Sequence, residues 1–232
     1  MTVIQVGRNL ENVRARITRA AGNIGKNPSD IQLVAVTKTV GSESIREAME
    51  AGVTIFGESY IQEARAKIPE ITGPVRWDFI GHLQRNKARH AVDLFGMIHS
   101  VDSLTLAQEI NRIAGEKGKK VSVLVQVNIS GEEAKSGINP AETGRLIQEI
   151  GSLPNLALEG LMTIPPYFDA PEMSRPYFRA LRQLREAIVE QHRGIIRLQE
   201  LSMGMSSDLE VAIEEGATML RVGTAIFGER TT

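Results

Sequence analysis

A lysine directly follows one apolar run in the N-terminal part of the sequence. The run reads Leu33-Val34-Ala35-Val36-Thr37, and Lys38 comes next. A parallel strand that is buried on both faces has this continuous apolar character. Burial disfavours a charged amine and frees it to attack an aldehyde, which is the first step of imine formation. A strand-end lysine whose ammonium reaches water is the simpler interpretation, and Lys38 taken alone favours it.

Two segments near the C-terminus are suited to binding a phosphate group. The first, Leu201–Glu210, joins a short apolar stretch to a helix, and Ser207 and Glu210 have the spacing of a capping box. Helix starts present unpaired N–H groups to anions. An ordinary capped helix would explain Ser207 equally well. It would not explain the second segment, Arg221-Val222-Gly223-Thr224, at the end of the last apolar run. We therefore predict three phosphate ligands and one positive charge beside them, namely Ser206, Gly223, Thr224 and Arg221.

The elements that must position these residues alternate between short strands and amphipathic helices. An apolar stripe at helical spacing, Val6/Leu10/Val13/Ile17, predicts a lead-in helix within residues 1–25. Repeated βα units imply a parallel sheet. Eight strands are predicted, at Ile31–Thr37, Thr54–Phe56, Val75–Ile80, Met97–His99, Val121–Val127, Leu156–Leu161, Glu200–Leu201 and Met219–Val222.

Eight such units favour a closed barrel over an open sheet. A (β/α)8 TIM-type barrel uses about 250 residues, so one barrel domain would occupy all 232 residues. The rival is an open doubly wound sheet, but no G-x-G-x-x-G follows the first strand. In a barrel, the site is built at the C-terminal ends of the strands. The polar residues expected there include Lys38, Ser59, His82, Asp102, Asn128, Thr163, Ser202 and Arg221.

Composition excludes several classes of function. The 27 Lys and Arg residues nearly balance 28 Asp and Glu residues, so the basic excess of a nucleic-acid-binding protein is missing. The sequence has no Cys, which excludes disulfides and thiolate metal sites. No apolar stretch has the length of a membrane span, and we predict a cytoplasmic protein. A closed barrel leaves no edge strand for pairing, so we also predict a monomer.

Two groups of charged or metal-binding residue types are interpreted as structural. The histidines His82, His90, His99 and His192 lack the spacing of a metal site, so no metal is predicted. Arg175, Arg179 and Arg182 recur at helical spacing beside several glutamates. This pattern is typical of a solvated helix face.

Six ordered motifs resemble the pyridoxal-phosphate homeostasis protein family over nearly the whole chain. They are Ala35–Lys38, Phe56–Tyr60, Phe79–Lys87, Gln126–Ser130, Leu201–Ser206 and Arg221–Gly228. The resemblance implies a single barrel similar to the N-terminal domain of alanine racemase, with pyridoxal 5′-phosphate (PLP) held as an internal aldimine on Lys38. Ser59 stands where the family usually has Asn, which puts one contact to the cofactor ring in doubt. His82 stands where the family often has proline.

The resemblance and the residues together favour PLP storage or delivery without catalysis. Arg221 would face the pyridine nitrogen or the phosphate, and an arginine can donate to that nitrogen but cannot leave it protonated. The ring would then be a weakened electron sink. Neither Tyr60 nor Tyr167 has an evident base beside it to complete a racemase site. The alternatives are a PLP-dependent racemase or lyase and an interaction scaffold, and PLP-requiring enzymes are candidate partners.

Overall fold

The computed structural model describes residues 5–193 and 196–229. Within them the chain forms eight parallel strands that close into a barrel in the order β1 to β8. The strands are β1 Gln32–Val36, β2 Ile55–Glu58, β3 Arg76–Phe79, β4 Met97–Val101, β5 Val121–Gln126, β6 Leu156–Met162, β7 Glu200–Ser202 and β8 Met219–Val222. Each strand pairs with its sequence neighbour, and β1 closes the barrel against β8, with Gln32 opposite Met219 and Ala35 opposite Val222. The predicted (β/α)8 barrel is confirmed.

Helices follow the strands and cover the outside of the barrel. They are α1 Val6–Asn23, α2 Ser42–Glu50, α3 Ile61–Lys67, α4 Ala88–Leu94, α5 Leu104–Glu116, α6 Pro140–Gly151, α7 Arg175–Gln191, α8 Leu209–Glu214 and α9 Thr224–Phe227. Short 3-10 turns lie at Pro28–Asp30, Ile68–Glu70, Arg85–Lys87 and Pro171–Ser174. None of the helices described is long and apolar enough to cross a membrane.

The apolar core has two parts. The larger part lies between the strands and the helices, and it includes the lead-in helix α1 through Val6, Leu10, Val13 and Ile17, as its periodicity predicts. The smaller part contains only strand residues and therefore lies inside the barrel: Val34, Met97, Leu124, Met162 and Met219, with Ile55 packed against them. The barrel interior is thus filled by side chains, as the fold requires.

The strand boundaries differ from the predictions by at most two residues, and three strands extend beyond their predicted ends to take in polar residues. β2 extends to Glu58, β4 to Val101 and β7 to Ser202. Glu58, Ser100 and Ser202 are therefore buried members of strands rather than loop residues. A polar residue inside a barrel strand breaks the apolar run in the sequence, which is why the run alone ends too early.

The arginine stripe on α7 is solvent-exposed in part, as predicted, with Arg179 half exposed, but its three arginines also share one buried acidic partner. Arg175, Arg179 and Arg182 all donate to the carboxylate of Glu215, at 3.2, 2.8 and 3.3 Å. Glu215 follows α8, and its side chain is only 4% exposed. Because Glu215 is distant from the stripe in sequence, the pattern on α7 alone could not reveal this contact between the two helices.

Candidate functional site

Lys38 and the segment Gly223-Thr224 lie at the same end of the barrel. Ala35 pairs with Val222 across β1 and β8, so the residues that follow these two strands emerge side by side at the C-terminal mouth. Lys38 is half-buried there. The chain turns at once, since the N–H of Val40 donates to the carbonyl of Thr37 at 2.9 Å. Thr39 adopts a φ of +62° within this turn.

A group of charges lies directly beside Lys38, which we call the Lys67 cluster: the buried Glu58 and Lys67 and the partly exposed Glu63. The Lys67 ammonium donates to Glu58 Oε1 at 2.6 Å, to Glu63 Oε1 at 2.7 Å and to the carbonyl of Thr37 at 2.7 Å. Glu58 is fully buried, and its Oε2 has no hydrogen-bond partner among the described residues. Burial raises the pKa of the Glu58 carboxyl, while hydrogen bonds from Lys67 and Thr37 oppose the shift.

The loops after β7 and β8 contact each other at the predicted phosphate ligands. The N–H of Ala225, in the first turn of α9, donates to Ser206 Oγ at 3.2 Å. The N–H of Arg221 donates to the carbonyl of Gly204 at 3.0 Å. Gly204 has a φ of +91°, and a Cβ at this position would lie 2.5 Å from the Cβ of Ala212. Ser206, Gly223 and Thr224 therefore lie together, as predicted.

The predicted capping box is wrong. Helix α8 begins at Leu209, and the carboxylate of Asp208 accepts the N–H of Met205 at 2.7 Å. Glu210 instead makes a two-pronged ion pair with Arg16 of α1, at 2.6 and 2.8 Å. Arg16 also donates to the carbonyl of Ser206 at 3.0 Å. A charged partner on a distant helix thus replaces the local contact that Ser207 and Glu210 suggested.

Arg221 projects into the barrel interior beneath these loops. It is 4% exposed, and it donates to Ser202 Oγ at 2.6 Å and to the carbonyl of Thr163 at 2.9 Å. Among the described residues, no carboxylate lies within ion-pairing distance of its guanidinium. Burial lowers the pKa of Arg221 to about 10, and the charge of Asp208 opposes this shift only in part. A buried cation without an anion is unfavourable, so this position favours an anionic ligand.

A chain of hydrogen bonds continues from Arg221 across the barrel interior. Ser202 Oγ lies 3.0 Å from Nδ1 of His99, and Nε2 of His99 lies 3.1 Å from Asp78 Oδ2. Burial lowers the pKa of His99, although hydrogen bonding to Asp78 opposes the shift. With a neutral His99, all three hydrogen bonds can be donated in the same direction. Arg221 donates to Ser202, the Ser202 hydroxyl donates to Nδ1 of His99, and Nε2–H of His99 donates to Asp78.

The sequence did not point to Asp78 or His99 as parts of the site. A signal was present for Asp78, which stands between two apolar residues in Trp77-Asp78-Phe79, and a weaker one for His99, which follows the apolar pair Met97-Ile98. Asp78 is also held by Arg76, at 2.8 and 2.9 Å. Only barrel closure brings β3, β4, β7 and β8 together around this chain.

Ser59 lies at the mouth after β2 and is half-buried. The backbone of Gly81, after β3, approaches it so closely that a Cβ on Gly81 would lie 2.1 Å from the carbonyl oxygen of Ser59. His82, the other departure from the family pattern, is exposed, and its Nδ1 lies 3.7 Å from Asp102 Oδ2. The mouth therefore brings together the amine of Lys38 and the contacting loops after β7 and β8, with the buried cation of Arg221 beneath those loops.

Comparison with known proteins agrees with this architecture. The family profile described as "Alanine racemase, N-terminal domain" matches residues 8–231, which defines the chain as a barrel of that class. Alanine racemase of Clostridium difficile has the same fold, with a TM-score of 0.76 and 18% identity over 99% of this chain and 58% of that chain.

Full-length relatives identify the family. The "Pyridoxal phosphate homeostasis protein" of Aquifex aeolicus is 42% identical over 95% of this chain and 96% of its own length. The protein of that name in Escherichia coli K12 is 41% identical, with 97% of both chains covered. The structure of PipY of Synechococcus elongatus with PLP bound has a TM-score of 0.86 and 38% identity, covering 97% of this chain and all of that one. The chain belongs to the pyridoxal phosphate homeostasis protein family.

Proposed function

We propose that this protein binds PLP at the C-terminal mouth of the barrel and acts in PLP homeostasis, as a store or delivery protein for the cofactor. The observation that carries the proposal is the fully buried Arg221, which lacks a carboxylate partner in the described part of the chain and lies beneath two joined loops of small residues. Such a site fits an anionic ligand. Its relative PipY, with PLP bound, supports the choice of ligand.

The donor set fits a phosphorylated aldehyde. Ser206, Gly223 and Thr224 would hold the phosphate through hydroxyl and backbone N–H groups, where a glycine allows close approach. The Arg221 side chain points into the barrel and not toward the rim of the mouth. Its guanidinium would therefore lie below the ring of the cofactor. Ser59 would contact the ring substituents from β2. When bound, PLP supplies an aldehyde, and the Lys38 amine would condense with it, with the aldehyde oxygen leaving as water.

Storage or delivery fits the mouth better than turnover. Even with its pKa lowered to about 10, Arg221 stays charged at neutral pH, so it can only donate a hydrogen bond to the ring. Tyr60 and Tyr167 are 57% and 79% exposed at the rim, and neither has a hydrogen-bonded base among the described residues. A racemase would need such a base close to the substrate.

The partners, the cellular location and the oligomeric state of the protein are predictions. PLP-requiring enzymes are the natural recipients of a delivered cofactor, and the cytoplasm is the predicted location. The closed barrel favours a monomer, because β1 and β8 pair with each other and leave no free edge. Size-exclusion chromatography with light scattering should give a single species of about 25 kDa, near the 25.4 kDa of the chain. A stable dimer at micromolar concentration would contradict this prediction.

The covalent link is tested by spectroscopy and peptide mapping. The purified protein should be yellow, and borohydride should reduce the imine to a secondary amine that survives denaturation. Mapping should place the adduct on Lys38. Labelling of a different lysine in the wild-type chain would refute the assignment, and absence of cofactor even after incubation with PLP would refute the function. No common amino acid should be turned over at the ~1–1000 s⁻¹ typical of enzymes.

A further inference from the structure

Side chains of α3 hold both peptide groups that flank Lys38. The carbonyl of Thr37 belongs to the peptide before Lys38, and it accepts a hydrogen bond from the Lys67 ammonium at 2.7 Å. The N–H of Thr39 belongs to the peptide after Lys38, and it donates to Glu63 Oε1 at 2.5 Å. Two anchored peptide planes fix the direction in which the Cα of Lys38 presents its side chain.

The turn at Lys38 needs such an anchor. Lys38 and Thr39 are the two central residues of the turn closed by Val40 N–H and the Thr37 carbonyl. The second of them has a φ of +62°, a position that glycine or asparagine usually fills. A β-branched residue is strained there and persists only where its surroundings impose the conformation. Glu63 imposes it through the N–H of Thr39 itself.

The Lys67 cluster is better suited to positioning than to stabilising the fold. Lys67 uses all three of its ammonium hydrogens, on Glu58, Glu63 and the Thr37 carbonyl. Glu58 is fully buried, and the Lys67 side chain is 8% exposed. Buried ion pairs of this kind contribute little net stability compared with apolar residues of similar volume. Thr37 also donates its hydroxyl to Glu58 Oε1 at 2.7 Å, so the cluster contacts the residues on both sides of Lys38.

We propose that Glu63 and Lys67 are positioning residues for Lys38: they hold the two peptide groups that flank it, so that its amine is presented to the barrel mouth for reaction with the aldehyde. This inference rests on the proposed function only in taking Lys38 as the lysine that binds PLP. The anchoring of the turn itself can be measured without any cofactor.

The test compares Glu63→Ala with Glu63→Gln. Glutamine keeps an oxygen that can accept the N–H of Thr39, whereas alanine removes it. The matched control is Glu214→Ala, which removes a similarly exposed carboxylate (31% against 24%) with a single basic ion-pair partner, Arg175. Glu214 ends α8 at the end of the barrel opposite to the mouth. Because the Glu63 side chain is partly exposed, its variants are expected to fold, and thermal melting checks this.

Two readouts are measured on the full-length protein. In the cofactor-free protein, hydrogen exchange of the Thr39 amide should be about tenfold faster in Glu63→Ala, the effect of losing one charged hydrogen bond. The rate of imine formation with added PLP, followed by absorbance, should fall by a similar factor. Glu63→Gln should keep the Thr39 exchange rate and the imine rate close to the wild-type values. Glu214→Ala should change neither rate.

The outcomes separate this inference from the proposed function. If Glu63→Ala folds and leaves both the Thr39 exchange rate and the imine rate unchanged, the positioning role is wrong while PLP binding by Lys38 stands. The role is also wrong if Glu214→Ala slows imine formation as much as Glu63→Ala does. If Lys38 is never labelled in the wild type, the proposed covalent link fails, whereas the exchange result still decides whether Glu63 anchors the turn.

Discussion

Replacing Arg221 with glutamine should separate ligand affinity from fold stability. The wild-type guanidinium makes two buried hydrogen bonds, to Ser202 Oγ at 2.6 Å and to the Thr163 carbonyl at 2.9 Å. Hydrogen bonds from a charged group contribute about 1.5–3 kcal/mol each. Against this, the burial that lowers the pKa of Arg221 to about 10 costs the charged form about 3 kcal/mol, at 1.36 kcal/mol per pKa step.

These two effects largely cancel in the protein without PLP. A glutamine can still donate to Ser202, and it no longer buries a charge. The free energy of unfolding of Arg221→Gln should therefore lie within about 1.5 kcal/mol of the wild-type value. The affinity for PLP should fall by about tenfold or more, because an anionic ligand loses the buried cation that it would compensate.

The assay combines urea unfolding of the cofactor-free proteins with dialysis retention of PLP and of unphosphorylated pyridoxal. Lys38→Ala should show the opposite pattern to Arg221→Gln, since it loses the imine absorbance but keeps part of its affinity for PLP. Arg179→Gln, on the surface cluster around Glu215, is the control for loss of an arginine elsewhere. If the wild type retains both aldehydes equally, there is no anion site, and Ser206, Gly223, Thr224 and Arg221 serve only helix capping and barrel closure.

Two further predictions follow from buried groups. Burial lowers the pKa of His99, so below about pH 6.5 the unfolded chain takes up a proton that the native protein does not. Stability that depends on neutral His99 is therefore lost as the pH falls, and between about pH 7.5 and 5.5 the wild type should lose more unfolding free energy than His99→Gln does. An equal pH dependence in both proteins would contradict this. Gly204→Ala should cost about 2 kcal/mol or more in urea unfolding, because its Cβ would meet Ala212 and its φ is +91°. Gly7→Ala, where nothing lies within 4 Å, should not destabilise the protein.

Local patterns in the sequence were sufficient to predict the overall architecture. The lead-in helix follows from the spacing of Val6, Leu10, Val13 and Ile17, and all four are buried. The strand predictions succeeded because a parallel strand buried on both faces leaves an apolar run that can be recognised without knowing its partners. Strand order then fixes which loops share the mouth, so the proximity of Ser206, Gly223 and Thr224 was predictable.

The sequence by itself determined the barrel, the residues at its mouth and, through six motifs, the family. Tertiary structure alone decided which polar side chains meet: Arg221 with Ser202, Ser202 with His99 and His99 with Asp78 come from four different strands. The capping box failed for the same reason, because Glu210 is paired with Arg16, 194 residues away. Secondary structure depends on local periodicity, whereas hydrogen bonds and ion pairs between residues far apart in sequence depend on distances that only the closed barrel sets.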